Sequence, residues 1–223
     1  MYRIFLLDID NTLLDFDAAE EQSFKKMIQS YDLEYREEML PQYKQMNRHL
    51  WDLLEQGRIG RDELLNTRFS QFFGLYDVEI SGEEAEGRYR KYLGNSSQLM
   101  PNTKETLIRL KEMGKQLYSA SNGVYSTQIQ RLEQAGLLHL FDGMFISEKV
   151  GYEKPSLQFF QYCFKNIPDL EKDKTIMVGD SISSDIQGAV NAGIDSCLFC
   201  PSDHPLLSGA THTIQNLSEL LKF

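Results

Sequence analysis

The chain has 223 residues, 41% apolar and 25% charged, with a net charge of −10. This size suits one large domain or a domain with an insertion, and the composition argues against disorder. The acidic balance argues against a general nucleic-acid binder, which has to neutralise phosphates, and no apolar run approaches the ~18 residues of a membrane span.

Met1-Tyr2-Arg3 leads straight into an apolar run without a signal-peptide layout, so a cytoplasmic protein is expected. The run Ile4 to Leu7 predicts a parallel strand covered on both faces. It ends in Asp8-Ile9-Asp10-Asn11-Thr12. Alternation along an extended backbone points Asp8 and Asp10 the same way, with Ile9 opposite. Two neighbouring acids repel, so a cation or a shared proton is expected beside them. A hard divalent ion such as Mg²⁺ suits such oxygen ligands, and an Asp carboxylate can accept a phosphoryl group as a nucleophile. The competing reading is a plain strand end with an Asp-Asn turn.

Residues 15–95 show no strand pattern. Leu50, Leu53 and Leu54 share one helix face, as do Phe69, Phe72 and Phe73, and glycines divide the segment into four helices. A helical cap over residues 15–98 is therefore expected, inserted into an α/β core formed by 1–14 and 99–223. Placed after the first strand, a cap sits over the carboxyl edge of the sheet and can close a site there. Tyr43, Trp51, Phe69, Phe72, Phe73, Tyr89 and Tyr92 either stack on a flat substrate group or fill the cap's own core. The second reading is favoured, because such stripes are mainly packing.

From Pro101 the pattern is regular. Helices are predicted at 103–113, 126–135, 156–165, 185–192 and 217–222, with Pro155 in the first turn of the third. Strands are predicted at 115–120, 144–147, 174–178, 194–200 and 212–214. Repeated βα alternation means a doubly wound parallel sheet with helices on both faces. No glycine-rich nucleotide loop follows any strand. Cys197 and Cys200 form a CxxC inside a strand, where residues three apart face opposite sides, so neither redox nor zinc chemistry is expected of them or of Cys163. His49, His139, His204 and His212 are scattered and are read as ordinary core or surface residues.

Polar residues fall where the strands end: Asp8 and Asp10, then Ser121-Asn122-Gly123, then Gly151-Tyr152-Glu153-Lys154-Pro155, then Gly179-Asp180-Ser181 with Asp185. In a parallel sheet these ends share one edge. Each is a plausible turn or solvated side chain alone; their joint placement is what points to a site.

These segments resemble the four motifs of the haloacid dehalogenase superfamily phosphatases that carry a helical cap. Asp8-Ile9-Asp10-Asn11-Thr12 is similar to motif one, Ser121 to motif two, Lys154-Pro155 to motif three, and Gly179-Asp180-Ser181 with Asp185 to motif four. The wording around Ser121 and Lys154 is closest to the branch of YjjG-like pyrimidine 5′-nucleotidases and their YfnB relatives. The resemblance implies a core of five strands in the order 5-4-1-2-3. It also implies Asp8 as nucleophile, Asp10 as acid and base, and Lys154 as the neutralising cation. It gives phosphate contacts to the Ser121 hydroxyl and the Asn122 amide. Mg²⁺ is expected on the Asp8 carboxylate, the Asp10 carbonyl and Asp180, with Asp185 supporting Lys154 or a metal-bound water.

The implied activity is Mg²⁺-dependent hydrolysis of a small phosphorylated metabolite, a nucleoside 5′-monophosphate first. Phosphoglycolate, a sugar phosphate or a phosphomutase outcome are the alternatives. The second Asp of motif one disfavours carbon–halogen chemistry, and the intact motifs disfavour a catalytically silent binder.

Overall fold

The computed structural model describes residues 1–201 and 209–223, so His204 lies outside the described residues. The chain divides into two compact units: Met1–Phe16 with Ser97–Phe223, and Asp17–Ser96.

The first unit is built on a parallel sheet. β1 (Ile4–Leu7) lies between β2 (Gln116–Ser121) and β4 (Thr175–Gly179), with Leu7 in register with Ser119 and Val178. β3 (Gly143–Ile146) pairs with β2, and β5 (Asp195–Phe199) with β4. Among the described residues the order is β3-β2-β1-β4-β5-β6. The implied order of the first five strands is thus present, and β6 (His212–Ile214) extends the sheet beyond β5.

β1 is apolar throughout because both of its faces are covered. Phe5, Leu7 and Ile9 enter one core cluster, with Leu107 and Leu110 of α5 (Thr103–Glu112) and Leu132 of α6 (Tyr125–Gln134). Ile4 and Leu6 enter the other, with Phe159, Phe160 and Cys163 of α8 (Leu157–Lys165) and Ala189 of α9 (Gln187–Ala192). Burial of one such large apolar side chain contributes about 1.5–3 kcal/mol, so β1 is fixed by packing on both faces.

Several local expectations are corrected. Pro155 lies before α8, outside its first turn. Ser156 is the N-cap, and its hydroxyl accepts from the Phe159 N–H. The helix expected from Asp185 begins earlier, as a wide π turn over Ile182–Ile186 that α9 continues. Ser181 caps that turn by accepting from the Ser184 N–H. Leu217–Lys222 is a 3₁₀ helix, started by an Asn216–Glu219 capping box. A short α7 (Ser147–Val150) follows β3 directly.

Cys163 and Cys197 are buried, and burial pushes the Cys197 thiol up to about 12, away from the thiolate that redox or zinc chemistry needs. His49 and His139 are exposed, while His212 pairs with the Tyr2 hydroxyl at 2.9 Å. No helix among the described residues is long and apolar enough to cross a membrane.

The second unit carries α1 (Phe16–Gln29) from Asp17 onward, α2 (Met39–Glu55), α3 (Arg61–Gly74) and α4 (Gly82–Gly94). Its aromatic residues mostly form its own core. Phe24 stacks on Tyr43 at 4.7 Å, Tyr43 on Phe69 at 5.2 Å, and Phe69 meets Tyr89 at 5.1 Å. Trp51 and Tyr92 are half-buried. Leu50 and Leu54 are buried and Leu53 half-buried, so the leucine stripe is a packing face.

Arg68 is buried against this aromatic core. It gives two hydrogen bonds to Glu86, at 2.6 and 2.8 Å, and one to Asn47 at 2.9 Å. Removing one member of such a pair costs about 3–5 kcal/mol, so this network ties α2, α3 and α4 together.

Gly82 marks a close approach of α4 to α3. A Cβ there would lie 1.9 Å from the Asn66 main-chain oxygen. Gly82→Ala should therefore cost about 1–3 kcal/mol and lower Tm by several degrees. Gly87→Ala on the same helix meets nothing and should hold or raise Tm. Thermal unfolding of the two variants checks this; equal Tm values would contradict the close approach.

Candidate active site

The order β2-β1-β4 brings three strand ends side by side. Asp8 follows β1, and its N–H still reaches the Val178 carbonyl at 2.9 Å, so the ladder carries it one residue past the strand. Ile9 packs into the core on the opposite side from Ile4 and Leu6, as alternation requires. Asp8 is thereby set at the carboxyl edge, close to the point where the strand order reverses between β1 and β4.

Lys154 reaches this edge from the segment after α7. Its buried ammonium donates to Asp8 Oδ1 at 2.8 Å, Asp185 Oδ1 at 2.6 Å and the Ala120 carbonyl at 2.6 Å. An ammonium has three donors, and these partners engage all of them. The Lys154 main chain is held as firmly. Asn122 Nδ2 donates to its carbonyl at 2.9 Å, and its N–H donates to Asn122 Oδ1 at 2.8 Å. The Asn122 side-chain amide thus clamps the Lys154 main chain from both sides.

Asp185 is fixed from its other oxygen, which accepts the Ser181 N–H at 3.0 Å. The wide turn over Ile182–Ile186 makes that contact possible. Gly179 permits it too, because a Cβ at 179 would lie 2.0 Å from Asp185 Oδ2. Thr12 spans Asp8 and Asp180 with long contacts of 3.3 and 3.4 Å. One oxygen from each of Asp8, Asp180 and Asp185 falls within a mutual 4.8 Å.

Three carboxylates therefore face one ammonium, an excess of two negative charges if all are ionised. The pKa directions follow. Burial raises Asp8 well above the ordinary carboxylate range; Lys154 opposes this, and Asp185 and Asp180 add to it. Burial, then Asp185, pushes Asp180 up to about 7. Burial alone would favour neutral Lys154, but Asp185 and Asp8 outweigh it and raise its pKa, so the ammonium stays charged.

Asp10 has different neighbours. Its Oδ1 pairs with the Arg131 guanidinium and its Oδ2 accepts from Gln128 Nε2 at 2.6 Å, both on α6. Gln128 Nε2 also lies 3.1 Å from Ser121 Oγ. Asp8 and Asp10 thus carry separate partner sets. Arg131 and Gln128 escaped the sequence reading. The available signal was a helix whose inward face includes Thr127, Gln128 and Arg131, which are polar types at buried positions.

The model of the haloacid dehalogenase-like hydrolases matches residues 2–193. The HAD-hydrolase YfnB of Bacillus subtilis is 36% identical over 98% of this chain and 94% of its own length. Pyrimidine 5′-nucleotidase PynA of Streptococcus pneumoniae is 38% identical, covering 90% and 84%, and pyrimidine 5′-nucleotidase YjjG of Escherichia coli is 29% identical, covering 96% and 93%. The crystal structure of YfnB bound to magnesium superposes with a TM-score of 0.92 over 99% of this chain and 97% of that one. The chain belongs to the haloacid dehalogenase-like hydrolase family.

Proposed function

We propose that this hydrolase cleaves small phosphate monoesters, nucleoside 5′-monophosphates foremost, through an aspartyl-phosphate on Asp8 and with Mg²⁺. The observation that carries the reading is the buried Asp8–Lys154–Asp185 cluster at adjacent strand ends, with Asp10 held separately beside Ser121. The names of PynA and YjjG supply the nucleotide preference.

The residues suit the metal. The donors are hard carboxylate oxygens, and the cluster has two more negative than positive charges, which a dication offsets. Asp8, Asp180 and the Asp10 carbonyl would hold Mg²⁺, with Asp185 committed to Lys154. When bound, the ion offsets charge on the nucleophile and on the phosphoryl oxygens.

The chain's own groups do the rest. Lys154 fixes Asp8 Oδ1 and sets its orientation for attack. An Asp8 oxygen bonds to phosphorus as the P–O ester bond breaks, and Asp10 gives its proton to the leaving oxygen. Water then attacks the phosphorus of the aspartyl-phosphate, Asp10 takes its proton, and the bond to Asp8 breaks, releasing inorganic phosphate. The Ser121 hydroxyl hydrogen-bonds the transferring group.

Phosphate release from 5′-nucleotides, sugar phosphates and phosphoglycolate, with Mg²⁺ and with EDTA, tests the assignment. Mg²⁺-dependent release that is strongest on 5′-nucleotides is expected. A preference for another ester discards the nucleotide assignment, and no release from any discards the phosphatase. Asp8→Asn should abolish turnover, and Asp10→Asn should lower it by about two to four powers of ten. Full activity in the first, or a near-normal rate in the second, rejects the corresponding role.

The raised carboxyls also set a pH dependence. Burial pushes the Asp180 carboxyl up to about 7 from an ordinary value of 3.8, and it raises Asp8 in the same direction. Between those values the folded state binds the extra protons, so metal-free stability falls as pH rises across that window. Mg²⁺ needs the deprotonated carboxylates, so the gain in Tm on adding it should be larger above about pH 7 than at about pH 5. A gain that is equal at both pH values contradicts this charge balance.

A further inference from the structure

Arg131 is among the largest fully buried side chains of the molecule, at 1% exposure, and no motif accounts for it. A buried guanidinium is costly unless paired. Its ion-pair partner here is Asp10, whose side chain is 31% exposed. Arg131 Nη1 also donates to Gln128 Oε1 at 3.0 Å. Gln128, 2% exposed, donates to the other Asp10 oxygen at 2.6 Å. Both oxygens of Asp10 are therefore held from one helix face. The Phe16 ring lies 5.7 Å from the guanidinium and packs against it.

This arrangement gives Asp10 a fixed direction. Asp8, Asp180 and Asp185 bring oxygens within 4.8 Å of one another, and Asp10 is not in that group. Its carboxylate is instead tied, through Gln128, to the Ser121 hydroxyl. A group that must meet a leaving oxygen needs placement to within about 0.5 Å, and an error near 1 Å can cost about a hundredfold in rate. An acid on a loop past a strand end lacks that precision unaided.

We propose that Arg131 and Gln128 are positioning residues that hold the Asp10 carboxylate for its proton transfers. This rests on the acid–base role of Asp10 given above. A purely structural ion pair would occupy the same place, so the test has to separate the two roles.

Leaving-group dependence separates them. An alkyl ester, such as a nucleoside 5′-monophosphate, needs a proton on its departing oxygen, whereas p-nitrophenyl phosphate does not. kcat/KM reports the first chemical step for both. Arg131→Met should lower kcat/KM on the alkyl ester by about tenfold to a hundredfold and leave the aryl ester within a few-fold. Arg131→Lys keeps a buried cation beside Asp10 and should recover part of the alkyl-ester rate. Gln128→Met should show the same discrimination, with a rise in KM on both esters because Ser121 loses a partner.

If Arg131→Met does not fold, Arg131→Lys decides the matter by a smaller loss confined to the alkyl ester. Equal losses on both esters, no loss on either, or a faster alkyl ester overturns the proposal. Asp10→Asn is the control. If it discriminates between the esters and the Arg131 variants do not, the positioning role fails alone. If Asp10→Asn itself lowers both esters equally, the acid–base assignment fails and the proposal with it.

Discussion

The buried ammonium of Lys154 is the interaction on which the site depends. It joins Asp8 to Asp185 and to the Ala120 carbonyl, and so ties the ends of β1 and β2 to the turn after β4. A lone buried lysine would shed its proton. This one keeps it because two carboxylates favour the charged form more than burial opposes it. The converse is as important. Without that cation, Asp8 and Asp185 would be two buried acids beside a third, Asp180, and burial would favour their protonated forms.

The surroundings of this contact follow from holding it in place. Asn122 clamps the Lys154 main chain from both sides, so a residue in a turn acts on the geometry of a distant lysine. Gly179 lacks the Cβ that would collide with Asp185, and the wide turn over Ile182–Ile186 lets Asp185 receive both the Ser181 N–H and the ammonium. The two apolar clusters fix β1 from both faces, which makes the position of Asp8 a property of the sheet. Even with Lys154 in place the acids outnumber the cations, which is the physical reason this edge suits a dication.

Much of this was legible in the sequence. Continuous apolar runs marked strands covered on both faces, and the first four of them lead into the polar residues that meet at one edge. The short run at β6 was also visible, although the family order implies five strands. Less legible was whatever depended on where a polar side chain points after folding. The side-chain amide of Asn122, for example, meets a main chain 32 residues away. Arg131 and Gln128 stand as polar types on the inward face of α6, but the carboxylate they meet is more than a hundred residues earlier. Pro155 fell outside α8 because Ser156 caps the helix more effectively. Local propensity reads element types well; it does not see long-range polar contacts.

The central claim is that Asp8 is the atom donor to phosphorus. Rapid acid quenching during the first turnover of a phosphate-labelled ester, followed by peptide mapping, tests it most directly. The account predicts a transient, hydroxylamine-labile phosphoryl group on Asp8, absent in Asp8→Asn. Phosphate release with the label on another residue, or with no labelled Asp8 peptide at any time in the turnover, would contradict it.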